Sequence, residues 1–463
     1  MFTLRASPHS GSNLQKNFKS FAWILGFLTC LTYAEFSFAI GNLSVRQEAF
    51  ISPSVRDGID KNPGFFSGKY LSDRNAKGES VDVLSARLDA QISPNNSFLS
   101  FVNIQELYWQ QGALIVGRRL MNWSEIDSSF NLGFYQPLFD WNLTRPRPQG
   151  LSGLFVQIHQ EAPVPWGINL FASKLFLANQ GANYEVRAGK FENSNPYFKG
   201  PATTIEFAGQ RDPLQYTLEK PEVSEVIFQN SFVSQIFVGQ EDEGFYAQAA
   251  FAEKPSNKLA LGIDGENQSA LVWNGRVRPS VYMHRLISAD LKYSFSKIQL
   301  GASGLREIPR EANYAPEWTY FKYQNSSLAG FFVQSLNFSS WKLRFDYLRA
   351  LGGQESSTGG KLSPYVTELN GSRVPFESAL QVSAELFFKF SRWQNLKLNS
   401  SLLQEEKGLF ASWTSGAEYQ FDRFWSIFAD LQLLAASEAL STKNIYFANR
   451  TNDSASVGVS YVF

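Results

Sequence analysis

Apolar residues occupy every second position through much of the C-terminal half of the chain. "SALQVSAELFFKF" sets Leu380, Val382, Ala384, Leu386, Phe388 and Phe390 against Gln381, Ser383, Glu385 and Lys389. "WSIFADLQLL" repeats the pattern with Trp425, Ile427, Ala429, Leu431 and Leu433. Side chains alternate faces along a strand, so each segment reads as a strand with one apolar and one polar face. Each is close to the roughly 9–11 residues that a tilted strand needs to cross a bilayer.

The connections constrain the fold further. "LISADLKYSF" pairs with "KIQLGASGL", "SLAGFFVQSLNF" with "WKLRFDYLRAL", and "DVLSARLDAQI" with "SFLSFVNIQELYW" across "SPNN". "GFYAQAAF" and "KLALGI" flank "AEKPSN" and read as one more pair. Short turns at 93–96, 295–297, 339–340, 391–394 and 422–423 alternate with long, polar loops at 307–326, 352–377 and 437–452. A soluble sandwich has no reason to sort its loops by parity, whereas a transmembrane barrel puts short turns on one rim and long loops on the other. Within hydrocarbon every backbone group needs an internal partner, so the sheet must close on itself. The expectation is an all-β fold, a single antiparallel transmembrane β-barrel of about 16 strands, between 14 and 18. Alternation fails near 119–150 and again in the polar, Pro-rich stretch 179–222. Such segments either fold into the lumen as an inward loop or plug, or lie over the mouth.

At the N-terminus, Arg5, Lys16 and Lys19 precede the apolar run "FAWILGFLTCLT", and Ser37 to Ala39 offers small residues for cleavage. This is the layout of a secretory signal peptide over 1–39, with the barrel occupying 40–463. The single cysteine, Cys30, lies inside that segment, so the exported chain has no disulfide to stabilise it. Lys plus Arg and Asp plus Glu are both 42, so there is no basic footprint for nucleic acid.

The C-terminal "VGVSYVF", with Val457, Val459, Tyr461 and Phe463 on one face, resembles the assembly signal of Gram-negative outer-membrane β-barrels. The resemblance implies recognition by the barrel-assembly machinery and contact with outer-membrane lipid, with the chain multi-pass in the bacterial outer membrane. "LIVGRRLMNWSEID" and "ALVWNGRVRPSVY" more faintly resemble segments of alginate-export-like and related porin-like barrels, although Asn122-Trp123-Ser124 stands where a Trp-Gly pair is expected. Outer-membrane phospholipases share the architecture, but their His-x-Ser element is missing from "QIHQEA" and "YMHRLI".

Enzyme chemistry has little to stand on. His9 lies in the signal segment, His159 and His284 lie in strand-like segments, and no metal-binding or nucleophile motif occurs. The reading is therefore no enzyme, no cofactor and no metal. Arg118, Arg119, Arg145, Arg147 and Arg211 concentrate in the irregular region, with Asp127, Asp140, Glu185 and Glu206 nearby. If they face the lumen, they form a charged pore constriction favouring anions. If they pair with those carboxylates, they merely pin an inward loop. Polar residues out of phase with the apolar face, such as Gln381, Ser383 and Glu385, would line the lumen.

The expected function is a porin-like channel for passive or weakly selective diffusion of small hydrophilic solutes, with a homo-oligomer possible. The alternatives are a selective exporter or uptake channel for a polymer or hydrophobic compound, and a non-conducting adhesin or structural barrel.

Overall fold

The computed structural model describes residues 39–462 apart from 52–61, 73–82, 95, 97–98, 162–163, 182–184, 194, 199–203, 208–209, 270–271, 311–317, 337, 339, 359–372 and 441–443. Of the segment 1–39 expected to be a signal peptide all but Ala39 lies outside the described residues, as does the terminal Phe463. The barrel strands are β1 (Ala39–Phe50), β2 (Gly64–Ser72), β3 (Val83–Ile92), β4 (Phe101–Gln111), β5 (Leu114–Arg119), β6 (Leu151–Gln160), β7 (Trp166–Ser173), β8 (Ser231–Gln240) and β9 (Glu243–Pro255). They continue as β10 (Met283–Phe295), β11 (Ile298–Pro309), β12 (Ser326–Ser335), β13 (Trp341–Gly352), β14 (Ser378–Lys389), β15 (Asn395–Glu405), β16 (Phe410–Gln420), β17 (Trp425–Ala436) and β18 (Ser454–Val462).

Each strand pairs antiparallel with its neighbour in sequence, and β1 also pairs with β18 from Asn42↔Val462 to Phe50↔Ser454. The sheet therefore closes without an edge at 18 strands, the upper end of the expected range. The wall is shortest where alternation is weakest. There β5 runs only from Leu114 to Arg119, and the segment after it leaves the wall. At the seam, a Cβ on Gly458 would strike the Phe428 ring and the Val45 carbonyl, so glycine allows the last strand to close onto the first.

The barrel is apolar outside, and around the seam it is polar inside. Val457 is 61% exposed while Ser460 on the opposite face is 2% exposed, and Ile427 and Ser426 divide the same way on β17. Ser426 and Ser460 share a hydrogen bond of 2.8 Å between β17 and β18, as do Ser44 and Ser67 between β1 and β2. Tyr461 stacks on Phe424 and meets Trp425 edge-on at 5.0 Å. Exposed Phe390, Trp393, Phe421 and Phe295 extend this aromatic girdle along the same rim.

Loop length is sorted by rim. The rim that holds the start of β1 and the end of β18 carries 112–113, 161–165, 241–242, 296–297, 336–340, 390–394 and 421–424. The other carries 120–150, 174–230, 256–282, 310–325, 353–377 and 437–453, with 406–409 as a short exception there and the connection from Ser72 to Val83 as a longer one on the first rim. Two expectations need correction. The connection after β3, read as a short turn at 93–96, lies on the long-loop rim, because its position in the chain decides the rim and its brevity does not. "KLALGI" is no barrel strand: Ala260–Ser269 pairs with Val272–Ser280 in a separate six-stranded sheet, with Gln210–Leu218 and Thr319–Tyr323 among its members. Ile263 there packs on Leu214, Tyr216 and Val277, so its alternation satisfies a local core rather than lipid.

Candidate functional site: a half-filled lumen

After β5 the chain turns inward. A positive φ of 129° at Gly117, where a Cβ would collide with the Leu107 carbonyl, bends the strand before it leaves the wall. Trp123, Ile126, Phe134 and Tyr135 are then buried against inward residues of the facing wall, among them Phe155, Phe171, Val233, Leu286, Leu305 and Leu328. A short helix, α1 (Glu125–Ser129), meets the wall end-on. The Glu125 amide donates to Asp290 Oδ2 at 3.1 Å and the Ile126 amide to Ser303 Oγ at 3.2 Å, so the barrel satisfies first-turn amides that have no partner within the helix. Glu125 receives Lys292 at 2.7 Å from β10 and Arg344 at 2.7 Å from β13. Burial would raise the Glu125 carboxyl, but these two cations prevail and hold it down at about 2.

Further along, Asn257 donates to the Gly133 carbonyl at 2.9 Å, Arg373 donates to it at 3.0 Å, and the Arg373 guanidinium lies 4.0 Å over the Phe134 ring. The segment then crosses the lumen. Gln432 on β17 donates to Thr144 Oγ1 at 2.6 Å, and Arg147 pairs with Asp89 on β3 at 2.7 Å. Asn195 donates to the Trp141 carbonyl at 2.9 Å, tying a stretch of 174–230 to it as well.

What remains open lies on the other side of the segment. A cavity of about 570 Å³ is bounded by Asp140–Arg147 and by inward residues of β1, β2, β14, β15, β16, β17 and β18, including Gln381, Ser401, Ser412, Thr414 and Ser456. A second, of about 220 Å³, lies toward the short-turn rim and shares Arg46, Lys69, Phe101, Arg147 and Asp430 with the first. Six cations line the larger cavity (Arg46, Lys69, Arg145, Arg147, Lys258 and Arg373) against three carboxylates, Glu48, Asp140 and Asp430. Burial first, then repulsion from Arg373, lowers the Lys258 ammonium to about 8. Burial raises the Asp140 carboxyl, opposed by Lys258 and by the hydrogen bond from Asn179.

The residues singled out in the sequence separate into three places. Arg145, Arg147 and Asp140 line the larger cavity, and the exposed Arg145 guanidinium makes no hydrogen bond among the described residues. Arg118, Arg119 and Asp127 hold structure together. Arg118 donates to the Gly150 carbonyl at 3.1 Å, Arg119 to Gln157 at 2.8 Å, and Asp127 accepts the Phe134 and Tyr135 amides at 2.9 and 2.8 Å. Arg211 and Glu206 face each other in backbone register within the outer sheet, away from the lumen wall. Val457, Val459 and Tyr461 lie on β18 at the seam. His159 accepts or donates one contact to Asn169, and His284 is buried against Glu307. Among the described residues no three His, Cys, Asp or Glu side chains gather as a metal site.

Arg46, Lys69 and Asp430, which the sequence reading does not single out, carry a signal in their strand phase. Arg46 shares its inward phase with Asn42 and Ser44, Lys69 with Ser67, and Asp430 with Ser426 and Gln432. Lys258 and Arg373 sit in polar loops that carry no such phase.

No protein-family model matches the chain, and no curated protein matches it. Several solved structures are similar. A triple mutant of the Rhodopseudomonas blastica porin shares 8% identity at a TM-score of 0.34, covering 92% of this chain and 98% of that one. OmpT, an outer membrane protein of Vibrio cholerae, shares 9% at 0.38, over 92% and 96%. Acinetobacter baumannii OccAB4 shares 9% at 0.42, over 92% and 98%. Likenesses of this size carry no part of the functional reading. The closed sheet, the apolar outer belt and the sorting of loops by rim carry the architecture by themselves: the chain folds as a closed antiparallel β-barrel of 18 strands, with part of its lumen filled by its own backbone.

Proposed function

We propose that the barrel is a channel for passive, weakly anion-preferring diffusion of small hydrophilic solutes, and that the solute passes along the open half of the lumen. The observation that carries this reading is the pair of contiguous cavities sharing Arg46, Lys69, Arg147 and Asp430. Two cavities meeting at a ring of opposed charges have the form of a constriction between vestibules. Selectivity in such a passage needs only width and lining charge. The surplus of cations in the larger cavity sets the preference, and the smaller one is balanced, with Arg46, Lys69 and Arg147 against Asp89, Glu418 and Asp430. In this reading Arg145 and Arg147 are the selectivity residues from the inward segment, and Arg118 and Arg119 are positioning residues. Residues 1–39 act as an export signal, and the last strand serves as the assembly signal for the barrel-assembly machinery.

The test is the reversal potential of the purified protein in a planar bilayer under a salt gradient, before and after Arg145→Ala. A smaller anion preference in the variant supports the channel reading. Stepwise conductance with identical selectivity in both would remove Arg145 from the constriction. Silence from folded barrel would favour a surface or structural role, with the six-stranded sheet on the long-loop rim as its working part.

A further inference from the structure

The wall is incomplete at one place. β5 has 6 residues, between the 11 of β4 and the 10 of β6. It pairs with β4 only from Leu107↔Arg118 to Gln111↔Leu114, and it meets the start of β6 at Arg119↔Leu151. Residues 101–106 of β4 therefore have β3 on one side and, among the described residues, no strand on the other. A backbone hydrogen bond from the Gly150 amide to the Gln105 carbonyl, at 2.9 Å, ties the corner where β5 ends.

The gap opens on lipid. Val102 is 72% exposed, more than any other large apolar side chain among the described residues, as expected where the neighbouring strand stops short. Its partner on β3 is Ala90, and Ile92, two residues nearer the long-loop rim, is still apolar and exposed. The apolar belt thus reaches above the gap. An open sheet edge at hydrocarbon depth is tolerated only where protein backs it or a cavity adjoins it.

Both conditions are met. From inside, Gln149 donates to Asn103 Oδ1 at 2.6 Å, and the Phe139 ring lies 4.9 Å from that of Phe101. Beside this backing is a cavity of about 320 Å³ lined by Leu120, Met121, Trp123, Tyr135, Leu138 and Pro148. Leu120 is where the chain leaves the top of β5, and Pro148 is where it returns toward β6, so the cavity lies just within the gap. Asn131 and Leu138 also line the larger cavity of the lumen, so the two adjoin.

The chemistry of this cavity is unlike that of the charged passage. Among the described residues no lysine or arginine lines it. Several of its polar groups are already engaged: Asp127 accepts the Phe134 and Tyr135 amides, Ser128 donates to Asn122, and Gln136 donates to the Met121 carbonyl. What remains for a guest is apolar and aromatic surface, which favours a hydrocarbon ring or chain over an ion.

We infer that the gap is a side portal, through which a small uncharged apolar molecule passes between the lumen and the leaflet on the long-loop side by way of this cavity. The portal rests on the barrel's spanning a membrane and is separate from ion conduction.

Gram-negative cells carrying the full-length barrel are given N-phenylnaphthylamine, an uncharged apolar amine that fluoresces once inside a membrane, and its rate of entry is compared across variants. Entry should be several-fold faster than in cells without the barrel. Leu120→Trp and Met121→Trp, each filling the cavity without adding charge, should return it to that background. With purified barrel in lipid nanodiscs, photoactivated benzophenone should label residues 120–138 of the wild type and neither variant, as read by peptide mass spectrometry. Entry at the background rate in the wild type overturns the portal. So does entry that neither variant slows, or label that falls outside 120–138. Heat-dependent gel mobility checks that each variant is folded. Potassium chloride conductance, expected at the wild-type level in both variants, distinguishes a closed portal from a damaged channel.

Discussion

The two halves of the lumen are built from the same alternation and end differently. Along β6 to β13 the inward positions include Phe155, Phe171, Val233, Leu286, Leu305, Leu328 and Leu348, so that wall needs something apolar to cover it. Trp123, Ile126, Phe134 and Tyr135 cover it, and the result is a core inside a membrane barrel. Along β14 to β18 and β1 to β3 the inward positions are mainly Ser, Thr, Asn, Gln and charge, which water satisfies, and the space stays open. Which side stays open is thus decided strand by strand, by whether the inward side chain prefers a hydrocarbon neighbour or water.

That contrast can be broken from either side. The largest effect should come from emptying the filled half. Trp123→Ala with Phe134→Ala removes two fully buried aromatics, at roughly 3–5 kcal/mol each, and should release the segment. Melting temperature should fall and single-channel conductance should rise several-fold.

Next is Glu125→Gln, which removes the carboxylate shared by Lys292 and Arg344 but leaves them Glu241 and Asp346, at a cost of about 1.5 kcal/mol. Open-channel noise and proteolytic cutting within 120–150 should both increase. The wild-type latch should resist acid. A carboxyl held down at about 2 contributes stability that is present above its unfolded value and disappears only as pH falls through about 2, so conductance should be steady down to pH 4.

Arg145→Ala, on the open side, should lower the anion-to-cation permeability ratio severalfold with stability within about 0.5 kcal/mol of wild type. Arg119→Gln, on the filled side, should leave that ratio unchanged. A shift of equal size in both would erase the distinction between the halves.

The smallest effect is one of pH. Lys258 is cationic below about 8 and loses its charge above it, so anion preference should decline modestly between pH 7 and pH 9. Lys258→Gln should abolish that pH dependence.

Much of the fold was legible because strand phase is a local signal. The segments from "SALQVSAELFFKF" to "WSIFADLQLL" became β14 to β17. β1, β2 and β8 were not among the segments read as strands, and near β5 to β7 the wall gives up alternation to accommodate the segment it holds. Phe155 and Phe171 are inward yet apolar, which is the reverse of what a lipid-facing phase rule expects. Of the candidate site, Arg145 and Arg147 could be read as a cluster, but their separation from Arg118 could not. That separation depends on where the segment crosses the lumen, and Thr144 meeting Gln432 is a contact between residues far apart in sequence. Arg211 shows the same limit from the other direction, since a sheet formed among long loops takes it out of the lumen wall.

The most direct test of the half-open lumen is the wild-type protein in a planar bilayer across a tenfold potassium chloride gradient. Discrete conductance steps, with a reversal potential on the chloride side of zero, are the predicted result. A folded, inserted barrel that gives no steps, or one that prefers potassium, would contradict it.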